Sequence, residues 1–450
     1  SFSDYIHLGP NLQRDIFMVL LRFRRFPVAL VSDISEMYLQ IKVKPTDRSF
    51  LRFLWRNMES TRVPDKYEFE RLVFGLNSSP FEAQFVVRHH AMKHSDQLPL
   101  AAESVLESTY MDDTMDSVPD DDTGRELYKQ LTTLWKGCNM HAHKWLSNSY
   151  KVLEDIPKED CASKIRIYEE ELPSTKTLGM VWLADKDLLS YSNIKIDQDL
   201  TCTKINFLKI LASVFDPLGL VSPYIIQAKM LMQSLWEAGL DWDTKIESDL
   251  EQEINAWIDQ LNDLEIVSVP RSICLGQEEK ENDIQLHAFS DASEEAYGAA
   301  IYGRITYKSE KVLTKLIAAK TRVAPLASTS IPRIELIGAV LALRLGQNIG
   351  KAFKLHKNDN TYWTDSQNVL CWIHGKSRRL KAFVGNRVAE IQQHSDPMNW
   401  YYVPSKMNPA DLVTHGLSIK QLIENNLWWN GQEFLSKDRS GWPKKYNAYK

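Results

Sequence analysis

The sequence predicts a multi-domain protein of the α/β (α+β) class, and its length, composition and hydrophobic periodicity lead to this prediction. A chain of 450 residues is long enough for about two to four domains. Its composition, 44% hydrophobic and 25% charged, is that of an ordinary globular protein. Strand-like and helix-like periodicities then alternate along the chain, as in a mixed fold.

The composition also indicates the cellular compartment of the protein and the kinds of partner that it could bind. No apolar run reaches the roughly eighteen residues that suggest a membrane span, so we expect no membrane partner. The five cysteines form no C-x-x-C pair, which favours a reducing, intracellular and cytoplasmic location. The first residue is Ser, so we expect a fragment of a longer chain. Two basic strips are candidate phosphate contacts or solvated faces: Arg22, Arg24 and Arg25, and Lys376, Arg378, Arg379, Lys381 and Arg387.

The first half of the chain alternates helices with short strands. Residues 11–26 predict a helix that ends before Pro27, and the apolar residues 28–33 predict a strand. Further helices are predicted over 79–93 and 124–137, and short strands near 164–168 and 177–183.

The second half begins with a helical pattern over 204–265 that is interrupted at 215–223. The hydrophilic residues 277–283 predict a domain boundary. A mixed sheet flanked by helices is expected after this boundary. Its predicted elements are strands at 284–291, 297–306 and 312–319, a helix at 332–349, a strand at 360–364 and a helix from 366.

Four acidic residues of this last segment occupy the ends of predicted elements. Asp291 and Asp365 close strands, Glu335 lies in the first turn of a helix, and Asp411 starts a helix. Each alone is typical of a helix cap or a helix-dipole partner. Attack of water on a phosphodiester needs two Mg²⁺ ions about 4 Å apart. Mg²⁺ prefers carboxylate oxygens and water, so the set of four predicts a metal-dependent site.

The same segment resembles ribonuclease H. Ser290-Asp-Ala-Ser293, Glu335, Thr364-Asp-Ser366 and Asn408-Pro-Ala-Asp411 stand in the order of that family. The resemblance implies that Asp291, Glu335, Asp365 and Asp411 bind catalytic Mg²⁺, or Mn²⁺, and that the RNA strand of an RNA–DNA hybrid is cleaved. One departure is the loop 404–407, which lacks the histidine of many cellular ribonucleases H and puts product release in doubt.

The motif Tyr110-Met-Asp-Asp113 predicts a hairpin turn in the first half of the chain. Two adjacent carboxylates in such a turn repel each other unless a cation compensates, and Asp33 would supply the third carboxylate. With Val73-Phe-Gly-Leu-Asn-Ser-Ser-Pro80 and Gly137-Cys-Asn-Met-His-Ala-His-Lys-Trp145, these residues resemble a reverse transcriptase.

The reverse transcriptase resemblance implies roles for particular residues and partners. Asp33, Asp112 and Asp113 would bind the polymerase metals. Leu178 and Gly179 would form the primer grip. For Tyr38 and Phe74, two of the nucleotide contacts named next, packing in the protein core is the alternative role. The residues implied to contact the nucleotide are Tyr38, Phe74, Gly75, Tyr110, Met111 and Lys144. The implied partners are an RNA template, a DNA primer, RNA–DNA hybrids and dNTPs.

Two features depart from the reverse transcriptase pattern. The flanks of the turn, Ser108-Thr109 and Thr114-Met-Asp116, are more polar than the apolar strands usual in the family. Only 32 residues precede Asp33, so most of the fingers subdomain is expected upstream of this chain. We therefore expect this chain by itself to polymerise poorly or not at all.

Motifs between and beyond these sites resemble the BEL/Pao group of long-terminal-repeat retrotransposons. They are Val214-Phe-Asp-Pro-Leu-Gly-Leu-Val-Ser-Pro223, Leu235-Trp-Glu-Ala-Gly-Leu-Asp-Trp-Asp243, Thr321-Arg-Val-Ala-Pro325, Leu427-Trp-Trp-Asn-Gly431 and Gly441-Trp-Pro443. The resemblance implies a section of a Pol polyprotein, located in a virus-like particle, with upstream fingers and a downstream integrase as partners.

The implied domains are a palm with partial fingers (1–185), a largely helical thumb and connection (186–280), a ribonuclease H-like mixed α/β domain (281–420) and a tail toward an integrase (421–450).

Three other functions are compatible with parts of the sequence. Asp122-Thr-Gly124 matches the core of an aspartic peptidase, but it follows acidic residues rather than an apolar strand, and a helix cap at Thr123 or Asp122 is favoured. Cys138, His141 and His143 could bind zinc, although a fourth nearby ligand is missing. An inactive, domesticated remnant that binds nucleic acid is the non-enzymatic alternative.

Overall fold

The structure is a computed structural model that describes residues 5–162, 174–177, 180–192, 194, 196, 200–247, 249–277, 281–327, 329–355 and 360–443. The chain divides into two compact units, Ser1–Pro173 and Ser174–Lys450. Within the described ranges, none of the helices combines the length and the apolar character needed to cross a membrane. The finer predicted division into four segments stays a prediction.

The first unit is built on a four-stranded sheet of order β4-β5-β1-β6 and a separate two-stranded hairpin, β2-β3. Its strands are β1 Val28–Ile34, β2 Arg52–Trp55, β3 Asp65–Glu68, β4 Thr109–Tyr110, β5 Asp113–Val118 and β6 Ala142–Ser147. Its helices are α1 Ile16–Arg25, α2 Met37–Gln40, α3 Ser79–Lys93, α4 Pro99–Glu107, α5 Asp121–Lys136 and α6 Tyr150–Leu153. The central strand β1 is antiparallel to both β5 and β6.

Helix α1 begins later than the sequence predicted, at Ile16 rather than residue 11. The side chain of Asp15 accepts a hydrogen bond from the backbone N–H of Phe17, so Asp15 caps the helix. The helix packs on β5 and buries Leu20 and Phe23 completely. Hydrophobic periodicity located this helix, but the cap determines where it starts.

The polar flanks of the predicted turn form a buried hydrogen-bonded network with α1. Arg22 donates to the hydroxyl of Ser108 at 2.8 Å and to Glu103 at 2.7 Å. The hydroxyl of Ser117 donates to the Arg22 carbonyl at 2.6 Å, and burial raises the pKa of Asp116, which Arg22 opposes. These polar strand residues therefore have partners inside the unit, as burial requires.

The same burial corrects the first candidate basic strip. Arg24 and Arg25 are 1% and 8% exposed, and Arg22 is engaged with Glu103. The prediction of a phosphate-contacting surface at these three arginines is wrong, because α1 turns them into the unit rather than toward solvent.

The Asp122-Thr-Gly124 motif lies in the first turn of helix α5. Asp120 is the N-cap, and its carboxylate accepts from the backbone N–H of Thr123 at 2.8 Å. The predicted caps at Asp122 or Thr123 are wrong by up to three positions along the chain, since both lie inside the helix. An Asp-Thr-Gly in the first turn of a helix cannot form the paired, buried carboxylates of an aspartic peptidase.

The second unit contains two sheets. Its strands are β7 Ser174–Thr177, β8 Met180–Leu183, β9 Leu188–Ser190, β10 Ser268–Pro270, β11 Glu281–Ala292, β12 Ala296–Tyr307, β13 Val312–Val323, β14 Asn360–Thr364 and β15 Trp400–Tyr402. Its helices are α7 Lys204–Ser213, α8 Ser222–Glu237, α9 Asp249–Asp259, α10 Ile331–Ala352, α11 Gln367–His374, α12 Ala382–His394, α13 Leu412–His415, α14 Ile419–Glu424 and α15 Asn426–Asn430.

The larger sheet has the order β13-β12-β11-β14-β15, and the smaller one the order β10-β9-β8-β7. In the larger sheet β11, β12 and β13 are antiparallel neighbours, whereas β14 pairs with β11 and β15 pairs with β14 in parallel. The predicted order of strands and helices after residue 284 is confirmed, and β11 extends back to Glu281.

The interruption at 215–223 is a structured turn that carries α8 onto β13. Both carboxylate oxygens of Asp216 accept backbone N–H groups, from Leu220 and Val221, each at 2.9 Å. Gly219 has a φ of +72°, and a Cβ built there would lie 1.9 Å from the carbonyl oxygen of Ala319 on β13. Only glycine fits this approach.

The segment after residue 421 is packed on the larger sheet. Trp428 is fully buried, its carbonyl accepts from the hydroxyl of Tyr302 at 2.8 Å, and its indole N–H donates to the Leu220 carbonyl. The ring of Trp442 contacts His287 and Trp363, with centroid distances of 5.0 and 5.7 Å. The described part of the predicted tail therefore belongs to the core of this unit.

Candidate active site

Asp291 and Asp365 are brought together by the parallel pairing of β11 with β14. The last pair in that ladder is Ser290 with Thr364, so Asp291, near the end of β11, and Asp365, directly after β14, come next at the same end of the sheet. Asp291 is 7% exposed. Its burial and the nearby Asp365 and Asp411 carboxylates raise its pKa from 3.8 to about 6.

Asp411 reaches the same end of the sheet through Asn408. The Asn408 amide N–H₂ donates to the Ser290 carbonyl at 2.9 Å, and its carbonyl oxygen accepts from the Ala410 N–H at 3.2 Å. Asn408 is 1% exposed, so this cross-link is part of the core. Thr414, in the next helical turn, donates its hydroxyl hydrogen to Asp291 Oδ2.

Glu335 is supplied by α10, which packs on β11 and β12. The helix begins at Ile331, so Glu335 opens its second turn, and the predicted first-turn position is wrong. A Cβ added at Gly338 would lie 3.0 Å from the carbonyl oxygen of Asp291, so the helix approaches the strand closely there. Burial and the Asp365 carboxylate raise the pKa of Glu335, against a hydrogen bond from Ser366.

The cluster of Asp291, Glu335, Asp365 and Asp411 is electrostatically unfavourable by itself. Burial, with repulsion from Asp411, raises the pKa of Asp365, although a Ser405 hydroxyl hydrogen bond opposes this. Oδ1 of Asp365 is buried without a hydrogen-bond partner. A divalent cation bound by these oxygens would relieve both the repulsion and the missing hydrogen bond, so the residues fit such an ion.

His415 belongs to this cluster and was not predicted. One ring nitrogen of His415 and one oxygen each of Asp291 and Asp411 lie within 4.8 Å of one another. The sequence did carry a signal: a histidine four residues after Asp411 in a helical segment falls on the same face. Because the family motif ends at Asp411, it gave no reason to look further.

The first unit holds a second carboxylate cluster. Asp33 on β1 lies directly opposite Asp113 on β5. Tyr110 pairs with Asp113, which makes Met111 and Asp112 the two turn residues, and Met111 has a φ of +57°. The predicted hairpin turn is confirmed, and the amide of Gln84 supports it by donating to the Met111 carbonyl at 3.0 Å.

The three carboxylates of this hairpin site repel one another. Burial, followed by repulsion from Asp112 and Asp33, raises the pKa of Asp113 to about 6. Burial also raises the pKa of Asp112, with a further contribution from Asp33. Lys144 donates from Nζ to Asp33 Oδ2 at 2.6 Å, and this bond raises the pKa of Lys144. The ammonium thus supplies one positive charge to a site built of three negative ones.

The other residues predicted for nucleotide binding lie in different environments. Tyr38 is 8% exposed and Phe74 is 69% exposed, with their ring centroids 4.7 Å apart. Core packing therefore fits Tyr38 but not Phe74. Gly75 has a φ of +89°, and Tyr110 is half-buried at the end of β4. Leu178 and Gly179, the predicted primer grip, lie outside the described residues.

The candidate zinc ligands do not converge within the described ranges. His141 Nε2 lies 2.6 Å from Asp160 Oδ1, and His143 Nε2 lies 3.5 Å from Asp33 Oδ1. The Cys138 thiol donates to the Trp135 carbonyl. Each of the three side chains has a different partner, which argues against a shared metal.

The comparisons with known proteins agree with this fold. Residues 203–366 match the family described as the Pao retrotransposon-like RNaseH-like domain. A foamy viral protease-reverse transcriptase in complex with an RNA/DNA hybrid is similar at a TM-score of 0.51 and 12% identity, over 87% of this chain and 46% of that one. A foamy viral protease-reverse transcriptase dRH in complex with double-stranded DNA is similar at a TM-score of 0.53 and 14% identity, over 88% of this chain and 60% of that one. No curated protein matches the chain.

The fold is that of an α/β multi-domain chain, similar to the fold of the two foamy viral protease-reverse transcriptases, and it contains an RNaseH-like domain. The family match confirms the predicted resemblance to Pao retrotransposons for the segment 203–366. This chain spans 46% and 60% of the lengths of the two foamy viral chains. The matched segment crosses the predicted boundary near residue 280 and runs from α7 to the start of α11.

Proposed function

We propose that the second unit cleaves the RNA strand of RNA–DNA hybrids in a Mg²⁺-dependent reaction. The observation that carries this proposal is the convergence at one end of the larger sheet of carboxylates from separate elements, two of them placed by the β11–β14 pairing. Carboxylates that repel one another inside a partly buried site are typical of a site built around cations.

Each of the four residues would have a defined part in holding the ions. Asp291, the most buried of the four, would hold an ion together with the neighbouring Asp365 and Asp411. Glu335 would contribute its carboxylate to the site from α10. Asp365 would contribute Oδ1, which has no hydrogen-bond partner in the protein. When bound, divalent cations supply charge neutralisation at the phosphate and a more acidic water nucleophile.

The surface between α11 and α12 supports a polyanionic substrate. Lys376, Arg378, Arg379 and Lys381 are exposed there, in contrast to the buried arginines of α1. Arg387 is half-buried, with its guanidinium 3.7 Å from the centre of the Phe383 ring. Exposed cations bind phosphates without base specificity, which suits recognition of an RNA–DNA hybrid by its backbone.

We also propose an RNA-directed DNA polymerase site in the first unit. The specific observation in its favour is the cross-strand pairing of Asp33 with Asp113 beside the Met111–Asp112 turn. These carboxylates would hold two Mg²⁺ ions for nucleotidyl transfer, with dNTPs, an RNA template and a DNA primer as partners. Because this chain by itself is expected to extend primers poorly, the test is Mn²⁺ binding to the full chain. Asp113→Asn should weaken binding at this site while hybrid cleavage is kept, and unchanged Mn²⁺ binding would contradict the site.

The test of the nuclease is cleavage of an RNA–DNA hybrid by the full chain in Mg²⁺, with and without Asp365→Asn. We expect at least a hundredfold loss of the cleavage rate, about 3 kcal/mol of barrier, because a metal ligand is removed while the fold is kept. Asp396→Asn, which changes an exposed cap of a short 3-10 turn, is the matched control and should leave the rate unchanged. Equal cleavage by Asp365→Asn and the unmodified chain would contradict the assignment.

The non-enzymatic alternative predicts a different result. A domesticated nucleic acid-binding remnant would bind the hybrid with a strong salt dependence but leave the RNA strand intact. The same hybrid, followed by gel for cleavage and by fluorescence anisotropy for binding, separates the two functions.

A further inference from the structure

His415 in the second unit's carboxylate cluster lies close enough to Asp291 and Asp411 for the three side chains to share one ion. The three candidate atoms, on His415, Asp291 and Asp411, lie within 4.8 Å of one another. Ligand atoms that bind one ion at about 2.1 Å lie roughly 3 to 4 Å apart, so only a small adjustment is needed.

The imidazole is held in a way that prepares one nitrogen for a metal. Nδ1 of His415 lies 3.1 Å from the Asp411 carbonyl oxygen and 3.3 Å from Asp411 Oδ1. A neutral imidazole donates from one nitrogen and offers a lone pair from the other. The nitrogen that faces the Asp411 carboxylate is Nδ1, so an imidazole with its hydrogen on Nε2 would offer the Nδ1 lone pair to an ion beside Asp411 Oδ1.

The cluster is also open to ions from solvent on this side. The side chains of His415 and Asp411 are 63% and 44% exposed, whereas Asp291 is 7% exposed. Thr414, which donates to Asp291, is fixed in the short helix α13 between the two other ligands. Helix α13 therefore carries the imidazole, has Asp411 as its N-cap, and is joined to Asp291 on β11 by the Thr414 hydroxyl.

We propose that His415 is a metal ligand beside Asp291 and Asp411, and that this mixed nitrogen and oxygen set favours a first-row transition metal ion such as Mn²⁺ over Mg²⁺. The proposal rests on the proposed nuclease function, since it shares two carboxylates with that site. Mg²⁺ takes oxygen ligands and keeps its waters, so an imidazole adds little to its binding. Imidazole suits first-row transition metal ions, and Mn²⁺, although at the weak end of that series, accepts it more readily than Mg²⁺ does.

The proposal is tested by pulsed electron paramagnetic resonance of Mn²⁺ bound to the full chain. The chain carries Asp112→Asn and Asp113→Asn, so that the first unit contributes little bound Mn²⁺. We expect ¹⁴N coupling from a histidine, and its replacement by ¹⁵N coupling when the protein is labelled with ¹⁵N-histidine. His415→Gln should remove this coupling and weaken Mn²⁺ binding about tenfold, with Mg²⁺ binding nearly unchanged.

His394→Gln is the matched control, because His394 is an exposed histidine at the end of another helix, α12, of the same unit. It should leave both the nitrogen coupling and the Mn²⁺ affinity unchanged. A Mn²⁺ spectrum without histidine coupling in the unmodified site, or a coupling that survives His415→Gln, overturns the proposal. These readouts need no catalysis, so absence of hybrid cleavage would count against the nuclease function alone.

Discussion

Asp291→Asn should stabilise the metal-free protein while removing its proposed nuclease activity. The pKa of Asp291 in the folded chain is about 6 against an ordinary 3.8. The folded state therefore holds this proton more tightly than the unfolded state, and stability falls as pH rises through the window from 3.8 to 6. Above that window the full cost of the buried charge is present, which is about 3 kcal/mol.

The size of the gain follows from the same titration. Asn keeps the shape of the side chain, and its carbonyl oxygen can accept the Thr414 hydroxyl hydrogen bond. In EDTA at pH 7.5 we expect the free energy of unfolding of the second unit to rise by about 3 kcal/mol. At pH 4, where Asp291 is protonated in the folded state, the gain should shrink below about 1 kcal/mol.

The assay is chemical denaturation followed by tryptophan fluorescence, in EDTA and in saturating Mg²⁺ or Mn²⁺. Bound metal stabilises the unmodified chain by mass action but should not stabilise Asp291→Asn to the same extent. Asp283→Asn, an exposed position on the same strand, is the matched control and should change stability by less than about 0.5 kcal/mol. A neutral or destabilising Asp291→Asn at pH 7.5, or a gain of equal size at pH 4, would refute the reasoning.

Two further predictions concern the core of the second unit. Burial lowers the pKa of His287 from 6.5 to about 3, so the folded state keeps its full stability above pH 6.5 and loses stability as the pH falls toward 3. Acidification from pH 7 to 5 should lower the free energy of unfolding by about 2 kcal/mol through this residue. His287→Gln, measured by the same denaturation, should reduce that loss. Gly219→Ala should destabilise by several kcal/mol more than Gly239→Ala, because both have positive φ but only Gly219 faces the Ala319 carbonyl oxygen, and equal melting temperatures for the two variants would contradict this.

Much of the second unit's sheet was predictable because its strands carry strong local patterns. The residues of β14 are all buried and apolar or neutral, and Asp365 follows directly. Parallel pairing then places Asp365 beside Asp291, as the motif order implied. The motif order and the turn that follows Tyr110 likewise implied that Asp33 and Asp113 lie close together, and the two residues are paired across β1 and β5.

The unpredicted features depend on partners that are distant in sequence or on a local hydrogen bond. Arg22 reads as a basic surface residue until Ser108 and Glu103 are placed beside it by the fold. Periodicity cannot distinguish Asp120 from Asp122 as a helix cap, because only the cap's own backbone conformation decides between them. Nothing local to Trp428 indicates that its indole N–H would reach Leu220.

The packing of the segment after residue 421 has a consequence for how this unit folds. The hydrogen bond from Trp428 to Leu220 joins residues 208 positions apart, and the ring of Trp442 lies against His287. During synthesis, the residues of β11 and β14 leave the ribosome well before these tryptophans do. One face of the sheet, with Phe289 and Trp363, remains uncovered for that interval, which favours slow, cooperative completion and transient aggregation-prone states. Chaperone dependence of this unit should therefore follow the arrival of Trp428 and Trp442 rather than that of the carboxylates.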